Sequence, residues 1–450
     1  MATEGASLSV THSAEPDRPR TVPAEVAGRR FPSIHQHAIA VFALGFFLAY
    51  GFVFMRRPER SEWQTCYVSA ASRLRVHTTI AHGNPPTYPY PPAMAMLAVP
   101  FTWFSPAVSL LIWYGINVAA TTVVVTLAWR LAGRPRFGVT LLGLLLSGRF
   151  LLAPLENHQF DMVIAAVLFV GCYSLWRGRD RLAGVWIGLA AAMKCTPLLF
   201  APYLAWRGKA LAACLVLLVA VFLNVLPDLY WPQTNGSSYL ADWYHLCLQT
   251  PLRKVPGAWG TDPLLNQSLA GLVYRWAGWH DSILTNGQLR VMLYATIAVL
   301  VTLVGWRMRG ARHAPPAVTA DRPSPHALAE IQTAVECSAV TALMLLASPM
   351  SGKAHYVVLV LPCIVLARVA VEVRPWWSLP LLAVLFVSGP FTAKGLIGKP
   401  LGDLTLAWAL PTLFATASLA GIWLTLGLCR TNPPHHAGTQ SLARTASRAA

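Results

Sequence analysis

Charge is scarce in this chain of 450 residues: 12% of it is Asp, Glu, Lys or Arg, against 55% hydrophobic residues and a mean hydropathy of +0.49. That balance excludes a soluble domain of this length and indicates a polytopic membrane protein. Acidic residues are the rarer sign, 18 against 35 Lys plus Arg. The basic excess does not make a nucleic-acid footprint, because it sits in short clusters between apolar runs, where it reports topology. The eight cysteines lack CxxC or other paired spacing. Cys172, Cys195, Cys214, Cys337 and Cys363 lie in or beside apolar stretches and read as small packing residues. Cys66 and Cys247 fall in two candidate outer loops and would pair only in an oxidising compartment. The chain also has no GxGxxG, Walker, HExxH or GxSxG sequence and no repeat of about 20 to 50 residues. Nucleotide-driven and zinc-dependent chemistry lose support, and no cofactor or metal site is expected.

What the chain has is long apolar runs. Residues 1–33, rich in Pro, Ala, Ser and Arg with no apolar run before His37, predict a disordered cytosolic tail, and 431–450 predict another. In the body, 34–430, a straight crossing needs about 20 apolar residues. The candidates are 37–55, 106–130, 137–154, 158–176, 209–226, 288–306, 330–348, 355–372, 376–391 and 405–428. The stretch 181–205 has Trp-Arg-Gly clusters on both flanks, at Trp176 to Arg179 and Trp206 to Lys209. Positive-inside bias places both flanks in the cytosol, so the stretch predicts two short helices meeting at Lys194 to Pro197, where the proline blocks continuation. By the same parity, 92–104 reads as a re-entrant or interfacial piece. About twelve transmembrane helices result, with both termini cytoplasmic and two large extracytoplasmic loops at about 56–91 and 227–287.

The polar residues converge on that outer side. Glu62, Tyr90-Pro91-Pro92, Lys194-Cys195-Thr196-Pro197 and the stretch Ser348 to His355 each border an apolar run. Asp228, Asp242, Asp262, Asp281 and Asp403 fall on the same face. The second loop adds Trp231, Tyr239, Trp243, Tyr244, Trp259, Tyr274, Trp276 and Trp279. Rings with one wet edge suit the headgroup level, so most of these make an interfacial belt, with sugar stacking a role for one or two.

Five sequences in order resemble the membrane-embedded glycosyltransferases of family 87, in the GT-C superfamily. They are Glu62 to Ala71 followed by Gly83-Asn84-Pro85 and Tyr88-Pro89-Tyr90-Pro91-Pro92; His158-Gln159-Phe160-Asp161; Ala190 to Lys194 with Pro197 and Trp206-Arg207; Asn266-Gln267-Ser268-Leu269 with Arg275; and Ser348 to His355. The resemblance runs from about 37 to 428. Glu62 stands where the family usually has aspartate, with Glu59 as the other candidate; Asp161 stands for asparagine and His158 for glycine.

The resemblance implies an all-α integral membrane protein, a GT-C type polytopic helical bundle. It implies transfer of a sugar, mannose above others, from a polyprenyl-phosphate-sugar donor to a hydroxyl of a glycolipid or glycan acceptor, with inversion. The active site would face the extracytoplasmic side of the cell membrane. An inverting displacement needs one base, for which Glu62 is the choice, and cations that stabilise a departing phosphate. His355 is the second catalytic candidate. Tyr67, Tyr88, Tyr90, His158, Gln159, Asp161, Lys194, Asn266, Gln267, Ser268, Arg275, Ser351 and Lys353 are the candidates for donor and substrate binding. The partners are these two substrates and membrane lipids, with no nucleic acid; sequence alone leaves the oligomeric state open.

Plainer readings stand beside these. Glu62 follows Arg56, Arg57 and Arg60 and reads also as a surface ion pair. Lys194 at a helix end reads also as a snorkelling lysine, and Asp161 reads also as the partner of Arg149. Glu336, inside an apolar span, has no partner evident in sequence and reads as neutral and buried. Asn266, Gln267 and Ser268 equally suit a helix cap. A lipid-linked sugar transporter or a catalytically inactive partner of a transferase are the other function classes.

Overall fold

The computed structural model describes residues 45–56, 58–81, 88–249, 255–257, 264–279, 283–309 and 330–431. The chain divides into two units after Tyr50. Of the first, residues 45–50 are described; they are helical, and Phe46 stacks on Tyr50 with ring centroids 5.8 Å apart. The second unit, Gly51–Ala450, holds the helices and the site discussed below.

Among the described residues all regular structure is helical. Within the described residues each predicted crossing falls on a helix, residues 37–44 of the first lying outside them: α1 (Gly45–Phe54), α2 (Pro106–Leu131), α3 (Phe137–Glu156), α4 (Asp161–Trp176), α5 (Asp180–Met193), α6 (Phe200–Trp206), α7 (Ala210–Tyr230), α8 (Asn286–Met308), α9 (Gln332–Ala347), α10 (Lys353–Val373), α11 (Ser378–Ser388) and α12 (Leu410–Thr431). Six of them, α2, α3, α7, α8, α10 and α12, are long and apolar enough to cross a membrane by length and composition. The piece at 92–104 forms a short helix, Pro92–Ala98, running into a 3-10 turn, Val99–Trp103.

Local chemistry sets the ends. Ser105 caps α2 by accepting from the Val108 N–H, with Pro106 at the first helical position. Thr285 and Gln288 cap α8 reciprocally. The break at Lys194 is real: α5 stops at Met193, Lys194 is extended with φ −156° and ψ 126°, and a 3-10 turn, Thr196–Leu199, leads into α6. Ahead of α12, a separate helix, Lys399–Ala407, ends at Ala409 in a left-handed backbone conformation with φ 56°.

Packing depends on close approach. A Cβ added at Gly184 of α5 would lie 2.6 Å from the Ala212 carbonyl of α7, and one at Gly143 of α3 would lie 2.7 Å from Cα of Ile364 in α10. In lipid the hydrophobic effect gives helices no reason to associate, so such small-residue contacts carry the attraction. α9 and α10 occupy the interior; from Ala334 to Leu346 every side chain is buried.

Glu336, for which no partner is evident in sequence, is buried as expected and has several partners in the fold. Its carboxylate accepts from Arg207 Nε at 2.9 Å and from Arg207 Nη2, and also from Tyr203 Oη and Gln332 Nε2, each at 2.9 Å. The guanidinium lies 129 positions upstream, which no local spacing reveals. The expected pairing of Arg149 is corrected: it pairs with Glu156 at 2.5 Å, not with Asp161.

Candidate active site

A cavity of about 610 Å³ collects loops that follow α3, α5, α7 and α9 and the segment before α12. Its size suits a small-molecule site. Glu62, Thr65, Tyr90, Gln159, Lys194, Thr196, Trp243, Lys353 and His355 line it, with apolar walls from Pro89, Leu248, Leu264, Leu265, Met350 and Leu406.

Glu62 opens a six-residue π-helical stretch, Trp63–Val68. That stretch is fastened to α2 through Trp63, whose ring stacks on Trp113 at 4.0 Å and whose Nε1 donates to Ser109 Oγ at 2.9 Å. With its neighbour pinned, Glu62 faces the cavity, where Gln159 Nε2 donates to Oε2 at 2.9 Å and to Oε1 at 3.1 Å. Burial pushes the Glu62 carboxyl up to about 7. The hydrogen bond from Gln159 pulls it down, the Asp161 charge adds to the rise, and Lys194 opposes it. Glu59, the rival candidate, is exposed on its own 3-10 turn, Pro58–Arg60, and does not line the cavity.

Across the cavity, Lys194 Nζ donates to Asp161 Oδ1 at 2.7 Å and lies 5.8 Å from the centroid of the Tyr90 ring. His355 Nε2 is 3.8 Å from the same Asp161 oxygen. The Gly352 N–H donates to His355 Nδ1 at 3.1 Å, so a neutral imidazole carries its proton on Nε2, the nitrogen turned to Asp161. Asp161 Oδ2 is buried with no hydrogen-bond partner among the described residues. One buried anion thus gathers a lysine from the α5–α6 break and a histidine from the start of α10.

The remaining candidates divide. Tyr90 lines the cavity; Tyr67 lies behind it, with ring centroids 5.0 Å apart, and Tyr88 donates to the Pro91 carbonyl at 3.0 Å, holding the Tyr-Pro-Pro corner. Burial raises the phenol of all three well above its usual range. His158 turns away, its ring packed on Phe54 at 4.3 Å. Asn266, Gln267 and Ser268 are fully buried and do not line the cavity. Asn266 Nδ2 donates to the Pro349 carbonyl at 2.9 Å and its Oδ1 accepts from the Ser351 N–H at 3.1 Å. The Gln267 N–H donates to the Ser351 carbonyl at 2.7 Å, and the Gln267 carbonyl accepts from Tyr356 Oη and Thr412 Oγ1. Ser268 Oγ accepts from Gly271, capping the helix Leu269–Trp279, and Arg275 donates to the Asn266 carbonyl. Ser268 thus caps the helix, whereas Asn266 and Gln267 clamp the loop that carries Lys353 and His355. Ser351 belongs to that clamp, its Oγ donating to Leu345 O at 2.9 Å.

Sequence reasoning missed Asn224. It accepts from the Ala93 N–H at 2.9 Å and donates to the Ala192 carbonyl at 3.2 Å, tying the Tyr-Pro-Pro corner and the end of α5 to α7. A polar side chain inside the apolar run of α7 was the available signal. Of the loop aromatics, Trp243 lines the cavity, with Nε1 donating to the Pro89 carbonyl at 3.0 Å. Cys66 and Cys247 are free and buried, with no bridge between them.

The chemistry available is a carboxylate that titrates near neutrality, facing cations and an imidazole N–H across a pocket with apolar walls. A family model described as Glycosyltransferase family 87 matches residues 88–322, just over half the chain. The match takes in Tyr90, Gln159, Asp161 and Lys194; Glu62 and His355 lie outside it and join the site through the fold. No curated protein matches the chain.

Proposed function

The chain belongs to glycosyltransferase family 87, and from that premise we propose that it moves a sugar, mannose in the first instance, from a polyprenyl monophosphate to a hydroxyl of a glycolipid or glycan. The observation that carries this reading is the meeting of Glu62, Lys194, Lys353 and His355, from three separate stretches of chain, around one cavity.

In the proposed step Glu62 removes the acceptor hydroxyl proton as the oxygen attacks the anomeric carbon. The new C–O bond forms as the bond to the phosphate oxygen breaks, with inversion, and the prenyl phosphate leaves with the electron pair. Lys194, Lys353 and the His355 Nε2–H are the groups that stabilise its charge, since a phosphate needs cationic donors and no strong acid behind it. Tyr90 and Trp243 offer faces for the sugar, and the leucines and Met350 offer apolar wall for the first prenyl units. The reaction needs no cofactor beyond the lipid-linked donor. Basic residues gather at the helix ends opposite the cavity: Arg130, Arg134 and Arg136; Arg177, Arg179 and Arg181; Arg207 and Lys209; Arg368 and Arg374. By positive-inside bias this distribution supports a cavity on the extracytoplasmic side and both termini in the cytoplasm.

The test is transfer of labelled mannose from polyprenyl-phosphate-mannose to a membrane glycolipid extract by the purified protein. Glu62→Gln is expected to keep the fold and lower turnover by about 10² or more. Near-normal turnover in that variant would remove Glu62 as the base; absence of transfer by the native protein, with several sugars tried, would favour a transporter or an inactive partner.

A further inference from the structure

The turn between α3 and α4 is built around one side chain. His158 takes a left-handed backbone conformation, φ 56°, which L residues rarely adopt. Two contacts hold it there: its ring packs on Phe54 at 4.3 Å, and its carbonyl accepts from Trp113 Nε1 at 3.3 Å. Phe160, two residues on, packs against the same Trp113 at 4.7 Å, and Trp113 stacks on Trp63, the neighbour of Glu62. Gln159 and Glu62, 97 positions apart in sequence, are therefore mounted on one aromatic stack. The polar bond between the two mounts is the Gln159 amide, within 3.1 Å of both Glu62 oxygens.

From this geometry we infer that Gln159 is a positioning residue for Glu62: its amide fixes the rotation of the carboxylate and favours the ionised form, and it does not act as a sugar ligand. The inference rests on the reading of Glu62 as the base. An amide N–H aimed at a carboxylate stabilises the anion more than the acid, which accepts less strongly. Other charged or titratable groups also face Glu62. Cys66 and Tyr67 come from its own helical stretch, Tyr90 from the Tyr-Pro-Pro corner, Asp161 from α4 and Lys194 from the α5–α6 break, with His355 of α10 behind Asp161. All of these remain when Gln159 is replaced, so a displaced titration reports the amide.

The experiment is the pH profile of kcat/KM for the full-length protein beside Gln159→Leu, Gln159→Glu and Glu62→Gln. A hydrogen bond to a charged group predicts that Gln159→Leu moves the acid limb up by about one to two pH units. Activity near pH 7 then falls about five- to fiftyfold and recovers as pH rises to about 9 and above. Gln159→Glu, which sets a second carboxyl beside the first, moves the limb at least as far and carries the test if the leucine variant does not fold. A limb at the wild-type position, or a loss of the same factor at every pH, overturns the inference while Glu62→Gln remains inactive. Turnover retained in Glu62→Gln overturns the base assignment itself, and with it the inference.

Discussion

Glu62 is a carboxylate whose environment matches its proposed task. A base must be ionised to act, and burial holds this one at about 7, so the protonated, idle form grows as pH falls through that value. The native enzyme is therefore expected to lose kcat/KM about tenfold per pH unit below 7 and to level off above it, checked by a rate profile across that range. A limb near the ordinary carboxylate value would mean that another group is the base. At the same scale, the sequence showed some residues and hid others for physical reasons. Glu62, Lys194 and His355 stood out as ionisable groups beside apolar runs, where charge is costly and so usually has a purpose. Asn266, Gln267 and Ser268 stood out for the same polarity, yet their buried hydrogen bonds go to backbone and to one another, an outcome that only the fold decides.

At the scale of elements, the helices were legible because an apolar run long enough to cross has few other uses. The Lys-x-x-Pro break between α5 and α6 was legible because proline ends helices by sterics that depend on no distant contact. What joins α6 to α9 was not. Glu336 is fully buried, and Arg207, Tyr203 and Gln332 supply its partners. Removing one member leaves the other charged and dry, so Glu336→Leu is expected to destabilise the protein by about 3 to 5 kcal/mol. The double variant Glu336→Leu with Arg207→Met is expected to recover most of that loss, because an apolar pair of similar volume avoids the desolvation cost. Thermal unfolding in detergent measures both; a double variant no more stable than the single would show that the pair contributes net stability.

For the whole molecule, the cavity lies at one set of helix ends and the basic clusters at the other. A cysteine placed at the exposed Asn235, in a background with the native cysteines replaced, is expected to react with an impermeant maleimide added outside intact cells. One at the exposed Arg179 is expected to react only after permeabilisation. The reverse pattern would put the cavity in the cytosol and end the lipid-linked donor reading.

The clamp on the Lys353–His355 loop closes late. Gln267 accepts a hydrogen bond from Thr412 of α12 and donates to Leu406, and Leu406 itself lines the cavity. During synthesis Glu62 leaves the ribosome among the first of the site residues and Thr412 among the last. It follows that the nascent chain carries Glu62 through the emergence of ten helices, α2 to α11, without a finished pocket, and the proposed site is complete only when α12 follows.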